Sequence, residues 1–113
     1  MSFEVVFYRT STGHEPVREW LRSLEDSEKK RIGEDIKTVQ FGWPIGMPIA
    51  KKLNRDLWEI RSKLLNKISR VVFTIHENKI VLLHGFIKKS QKMPWVDLEL
   101  AQRRLQEIKG GNR

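Results

Sequence analysis

The sequence contains no cysteine. That excludes disulfides and thiolate metal sites, and it fits a reducing cytoplasm. No apolar run approaches the roughly 18–20 residues that a membrane span needs; the longest, KIVLLH from Lys79 to His84, is strand-sized. The N-terminal MSFEVVFYRT has no basic region followed by an apolar stretch, so no secretory leader is expected there. There is no H-E-x-x-H, no EF-hand loop, no carboxylate cluster, no Walker A and no dinucleotide fingerprint. The one glycine-rich stretch, FGWPIG, matches no phosphate cradle. Neither a metal nor an organic cofactor is expected. Repeats and low-complexity segments are absent as well.

What is present is a globular composition, 39% hydrophobic over 113 residues, enough for one domain with a real core. The net charge is +8, and its distribution is uneven. Residues 51–92 hold eleven basic side chains against three acidic ones, so this window carries the whole excess. A polyanionic partner is the natural reading of such a field.

Hydrophobic periodicity predicts the order β-α-α-β-β-β-α. Phe3 to Tyr8, rich in β-branched and aromatic residues, reads as a strand. Pro16 opens a helix whose apolar face is Val17, Trp20, Leu21 and Leu24. Asp26 or Ser27 caps a second helix with the stripe Ile32, Ile36 and Val39, stopped by Gly42 and Pro44. Gly42 to Asp56 reads as a long loop. Leu57 to Lys63, Arg70 to His76 and Lys79 to Lys88 read as strands, the last two joined tightly at Glu77-Asn78. Pro94 opens a final helix with the stripe Leu98, Ala101, Leu105 and Ile108, and residues 109–113 form a frayed tail. This is a single α+β domain with helices on one face of a small, mostly antiparallel sheet.

Strand alternation picks out the chemistry. Glu59 and Arg61 share a face and Trp58 and Ile60 take the other, core-facing one. Arg70 opens the next strand and can join the first pair across the sheet. On that face an arginine has no packing duty beyond its stem. His84, Phe86 and Lys88 share a face on the last strand, followed directly by Lys89, Ser90, Gln91 and Lys92. Lysines and arginines suit phosphates, and an aromatic suits a splayed base. The alternatives stay open: Glu59 as a plain ion-pair partner, Phe86 as core, His84 as a satisfied half-buried histidine. RNA cleavage by such residues would use the ribose 2′-hydroxyl as nucleophile, with cations stabilising the charge developing on phosphorus and a His, Lys or Glu moving the proton.

Three blocks in order, KKLNRDLWEIR, SRVVF and IVLLHGFIKKSQKMPWVDLELAQRR, resemble the phage-derived, HigB-like toxins of the RelE/ParE superfamily. The matching positions are Leu57, Glu59 and Arg61; Arg70; and Leu83, His84, Gly85, Phe86, Lys88, Lys89, Lys92 and Pro94. Ser90 stands where the family has threonine, and Arg55-Asp56 where it tends to have an acid and a glycine. The resemblance implies the element order above and ribosome-dependent, metal-independent cleavage of mRNA. It also implies a helix-turn-helix, HigA-like antitoxin as partner. On it, Arg61, Arg70, His84, Lys88 and Lys89 are the expected catalytic set. Lys51, Lys52, Glu59, Phe86, Gln91 and Lys92 are the expected RNA contacts. A ParE-like gyrase inhibitor and a non-catalytic nucleic-acid-binding module are the rival readings.

Overall fold

A computed structural model describes residues 3–88 and 92–110. The strands are β1 (Glu4–Phe7), β2 (Ala50–Lys52), β3 (Trp58–Leu64), β4 (Lys67–His76) and β5 (Lys79–Lys88). The helices are α1 (Pro16–Arg22), α2 (Asp26–Gly42) and α3 (Trp95–Gly110). They make one sheet in the order β1-β5-β4-β3-β2. Among the described residues only the β1–β5 pairing is parallel. The fold is thus α+β, as the periodicity predicts, with two corrections. The expected loop from Gly42 to Asp56 contains β2, a short edge strand on β3. The helices also do not share one face of the sheet.

The sheet separates two cores. On one side α1 and α2 bury Val17, Ile32 and Val39 against Ile60, Val71, Phe73, Ile80 and Leu82. On the other, α3 buries Ala101 and Leu105 against Leu57, Val72, Val81 and Leu83. Apolar residues at both phases of β4 and β5 are what a two-sided burial requires. The stripe read for α3 is the one that packs. Among the described residues no helix is long and apolar enough to cross a membrane.

The local chemistry of the ends is legible. Helix α2 starts one residue earlier than its expected cap: Glu25 is the N-cap, in a reciprocal capping box with Glu28. The β4–β5 turn places both Glu77 and Asn78 at positive φ, 51° and 65°, the backbone of a two-residue hairpin that follows the twist of the sheet. The β3–β4 connection is an equally tight turn at Leu65 and Asn66. Of the expected tail, residues 109 and 110 are the last of α3, and residues 111–113 lie outside the described residues.

Gly85 anchors α1. A Cβ built there would lie 2.3 Å from Cε3 of Trp20, so the indole of α1 lies directly on the β5 backbone. Gly85→Ala is expected to destabilise the protein by about 1–3 kcal/mol through overpacking. Trimming Trp20 to Leu in the same chain should restore part of that loss. Denaturant melts of the single and double variants check it; equal midpoints for wild type and Gly85→Ala would rule the contact out as a constraint.

Candidate functional site

Strand register sets the site. Arg61, Arg70 and Phe86 are cross-strand partners in one row over β3, β4 and β5. The neighbouring row holds Lys51, Glu59, Val72 and His84. Directly opposed residues share a face, so both rows lie on the α3 side. His84 reaches that side because of a β-bulge: Val72 pairs with His84 but Phe73 with Leu82, leaving Leu83 as the extra residue. The extra residue resets the alternation of β5. Continued from Leu82 without the bulge, it would send His84 under α1. The carbonyl of Leu83 accepts a hydrogen bond from Nη1 of Arg104 at 2.7 Å, so α3 satisfies the group at the break in the ladder.

α3 also fixes His84. Nε2 lies 2.7 Å from Oδ1 of Asp97, in the first turn of the helix, and both side chains are largely buried. A carboxylate oxygen accepts, so Nε2 donates to Asp97 and Nδ1 is the ring nitrogen that this contact leaves for another partner. The imidazole stacks on Phe86, with centroids 5.3 Å apart and planes 23° apart.

Glu59 and Arg70 lie beneath the surface. Glu59 is 1% exposed and Arg70 0%, with Oε1 of Glu59 3.9 Å from Nε of Arg70. The expectation that an arginine on this face has no packing duty is therefore corrected for Arg70. The face carries a second core, and Arg70 sits inside it. Burial pushes the Glu59 carboxyl above the ordinary carboxylate range, against the opposing pull of Arg70, Arg61 and Lys51. Raised in the folded state, this group contributes most to stability below the unfolded carboxylate pKa and loses that contribution as pH rises through its folded value. Glu59→Gln, which cannot ionise, is thus expected to match wild type most closely in acid and to gain on it as pH rises. Melting temperatures across that range test it, and a gap that stays constant with pH would contradict it.

The other expected site residues divide. Arg61 is half-buried at the end of the row. Lys51 is exposed opposite Glu59. Lys52 alternates to the opposite face, with Nζ 5.8 Å from the Trp58 ring centroid, so it is not part of these rows. Phe86, 8% exposed, belongs to the α3 core and stacks on His84, which favours the core alternative left open for it over a base platform. Lys88 closes β5 opposite Ile68, and Lys92 is exposed just before α3. Lys89 and Gln91 lie outside the described residues. Among the described residues no three His, Cys, Asp or Glu side chains are grouped to hold a metal ion. Sequence reading gave neither Asp97 nor Arg104 a role in the site. Their placement at the first turn and inner face of a proline-led helix is the signal that could have found them.

Residues 19–106 match the family model described as phage-derived protein Gp49-like (DUF891). A search of curated proteins found no match. The matched span runs from α1 to α3 and includes both rows of the site. The chain therefore belongs to the Gp49-like phage-derived family, within the RelE/HigB-like toxin superfamily.

Proposed function

We propose that this protein is the toxin of a toxin–antitoxin pair and a ribosome-dependent, metal-independent mRNA endonuclease. The observation that carries the reading is the double row itself. It places Arg61 and Lys51 at a surface, above a buried Glu59–Arg70 pair and beside a histidine held by a carboxylate. In this mechanism the ribose 2′-oxygen attacks the adjacent phosphorus and the bond to the 5′-oxygen of the next nucleotide breaks. A 2′,3′-cyclic phosphate and a 5′-hydroxyl result. His84 takes or returns a proton through Nδ1. Arg61 binds the phosphoryl oxygens, and Arg70 adds a fixed positive field from below. Asp97 positions His84 without touching RNA. Lys88, Lys89, Gln91 and Lys92, close together in the sequence, are further phosphate contacts.

The partner proposed for the same face is an acidic segment of a helix-turn-helix antitoxin, recruited at a rate that falls with salt. The test is a translation extract in which mRNA 5′ ends are mapped with and without ribosomes. New 5′-hydroxyl ends confined to ribosome-bound mRNA support the reading. Intact mRNA with arrested gyrase would support the ParE-like alternative instead.

A further inference from the structure

Past the start of β2, the outer edge of β3 is uncovered and a notch opens beside Arg61. The ladder ends where the Arg61 N–H donates to the Ile49 carbonyl at 2.8 Å. Beyond that point lies a cavity of about 330 Å³, at the small end of ligand pockets. Met47, Pro48, Ile49 and Ile68 supply its apolar wall, and Arg31, Arg61 and Lys63 its cations. One carboxylate completes it. Asp35 is only 9% exposed although it carries a charge. Its Oδ2 accepts from Nε of Arg31 at 3.3 Å, and its Oδ1 accepts no hydrogen bond from any described residue. A carboxylate offers about four acceptor sites, so Asp35 keeps acceptor capacity toward the notch that it lines.

We propose that this notch is a nucleotide subsite, holding the nucleotide of the RNA strand next to the phosphate bound at Arg61. The inference rests on the nuclease reading and adds a specificity determinant to it. A base fits against the apolar wall, and its phosphate meets Arg31 and Lys63, since Arg61 holds the neighbouring phosphate. Asp35 then accepts from the base edge. Guanine presents N1–H and N2–H₂ side by side, the donor pair that a carboxylate accepts; uracil has a single ring N–H between two carbonyls. The subsite therefore favours guanine over uracil. Arg61 links the two sites, because its backbone closes the notch while its side chain lies in the row with Arg70.

The experiment is titration of the ¹⁵N-labelled full chain with guanosine 5′-monophosphate, uridine 5′-monophosphate and a guanosine-containing RNA trinucleotide, read at the amides of Ile49, Lys63 and Ile68. The guanosine nucleotide and the trinucleotide should both saturate shifts at these amides. Uridine monophosphate should bind about tenfold more weakly, the worth of a hydrogen bond to a charged acceptor. Asp35→Ala should remove that discrimination, and Ile68→Glu should abolish binding while its folded spectrum is retained. No saturation, shifts centred on Lys51 and Lys52, or equal affinity for the two bases would overturn the subsite. A mononucleotide that binds while the trinucleotide does not would also overturn it, because the notch would then be a site for free nucleotides. These readouts do not depend on cleavage. If wild type and Ile68→Glu cut ribosomal mRNA identically and neither binds nucleotide here, the subsite falls and the nuclease reading stands. If the notch binds the trinucleotide but the wild type cuts no mRNA on ribosomes, the nuclease reading falls.

Discussion

Arg61→Ala is expected to abolish mRNA cleavage while the protein stays folded. Arg61 lies on β3 at the end of the row it forms with Arg70 and Phe86, and it is half-buried where its neighbour Arg70 is fully enclosed. Its backbone hydrogen bond to Ile49 survives truncation of the side chain. The structural cost should therefore be about 1 kcal/mol or less. The catalytic cost is larger. A guanidinium can hold two phosphoryl oxygens at once, in a geometry that lysine cannot copy. Removing one such donor from a developing oxyanion typically costs about a hundred- to a thousand-fold in rate, roughly 3–4 kcal/mol. Arg61→Lys should recover charge but little rate. Single-turnover cleavage on programmed ribosomes, with circular dichroism melts of the same preparations, separates the two effects. A folded Arg61→Ala variant that cuts at near wild-type rate would refute the assignment.

The reading of β3 shows what alternation can and cannot reveal. Glu59 and Arg61 were expected on the face opposite Trp58 and Ile60, and the register puts them there. The period of a strand is a local property, so seven residues suffice to reveal it. Whether that face meets solvent is not local. It depends on α3, some forty residues later in the chain, returning to cover it. Alternation alone therefore assigned Arg70 to an open surface. The bulge at Leu83 was hidden for a related reason. A run of Ile80, Val81, Leu82 and Leu83 is apolar at both phases, so nothing in it marks the extra residue that carries His84 to the α3 side.

Other features were unread because they join distant or irregular segments. β2 has three residues and follows Pro44, Gly46 and Pro48. Punctuation of that density reads as loop, and only pairing with β3 makes a strand of it. The His84–Asp97 contact spans a strand end, residues outside the description and the start of a helix. The acid was visible in the sequence, but its partner was not, since acids in a first turn are explained by the dipole alone. The cavity beside Arg61 is farther still from sequence, because α2, the loop after it, β3 and β4 each contribute one wall.

Arg70→Ala is expected to fail differently from Arg61→Ala, through stability. With Arg70 0% exposed and Glu59 1% exposed, truncating the guanidinium leaves a buried carboxylate without the cation beside it and opens a void in the α3 core. Breaking a buried pair in this way costs about 3–5 kcal/mol, a large part of the roughly 5–15 kcal/mol that holds a small domain together. The deficit should depend on pH with a definite sign. Burial already raises the Glu59 carboxyl, and Arg70 is the strongest group opposing that rise. Without Arg70 the carboxyl in the folded state titrates higher still. The variant then lies nearest to wild type in acid, where Glu59 is protonated in both, and the gap widens as pH rises. Lost toxicity in Arg70→Ala would therefore say nothing about catalysis by itself. The informative protein is the double variant Glu59→Leu with Arg70→Met, which replaces the pair by apolar side chains of similar bulk. Such exchanges are often neutral or stabilising by about 1–4 kcal/mol. It should melt near wild type at every pH and still fail to cut mRNA, because the positive field beneath the phosphate is gone. Full cleavage by a stable double variant would make the pair a purely structural one. An Arg70→Ala protein that melts within about 1 kcal/mol of wild type at neutral pH would contradict its place in the core.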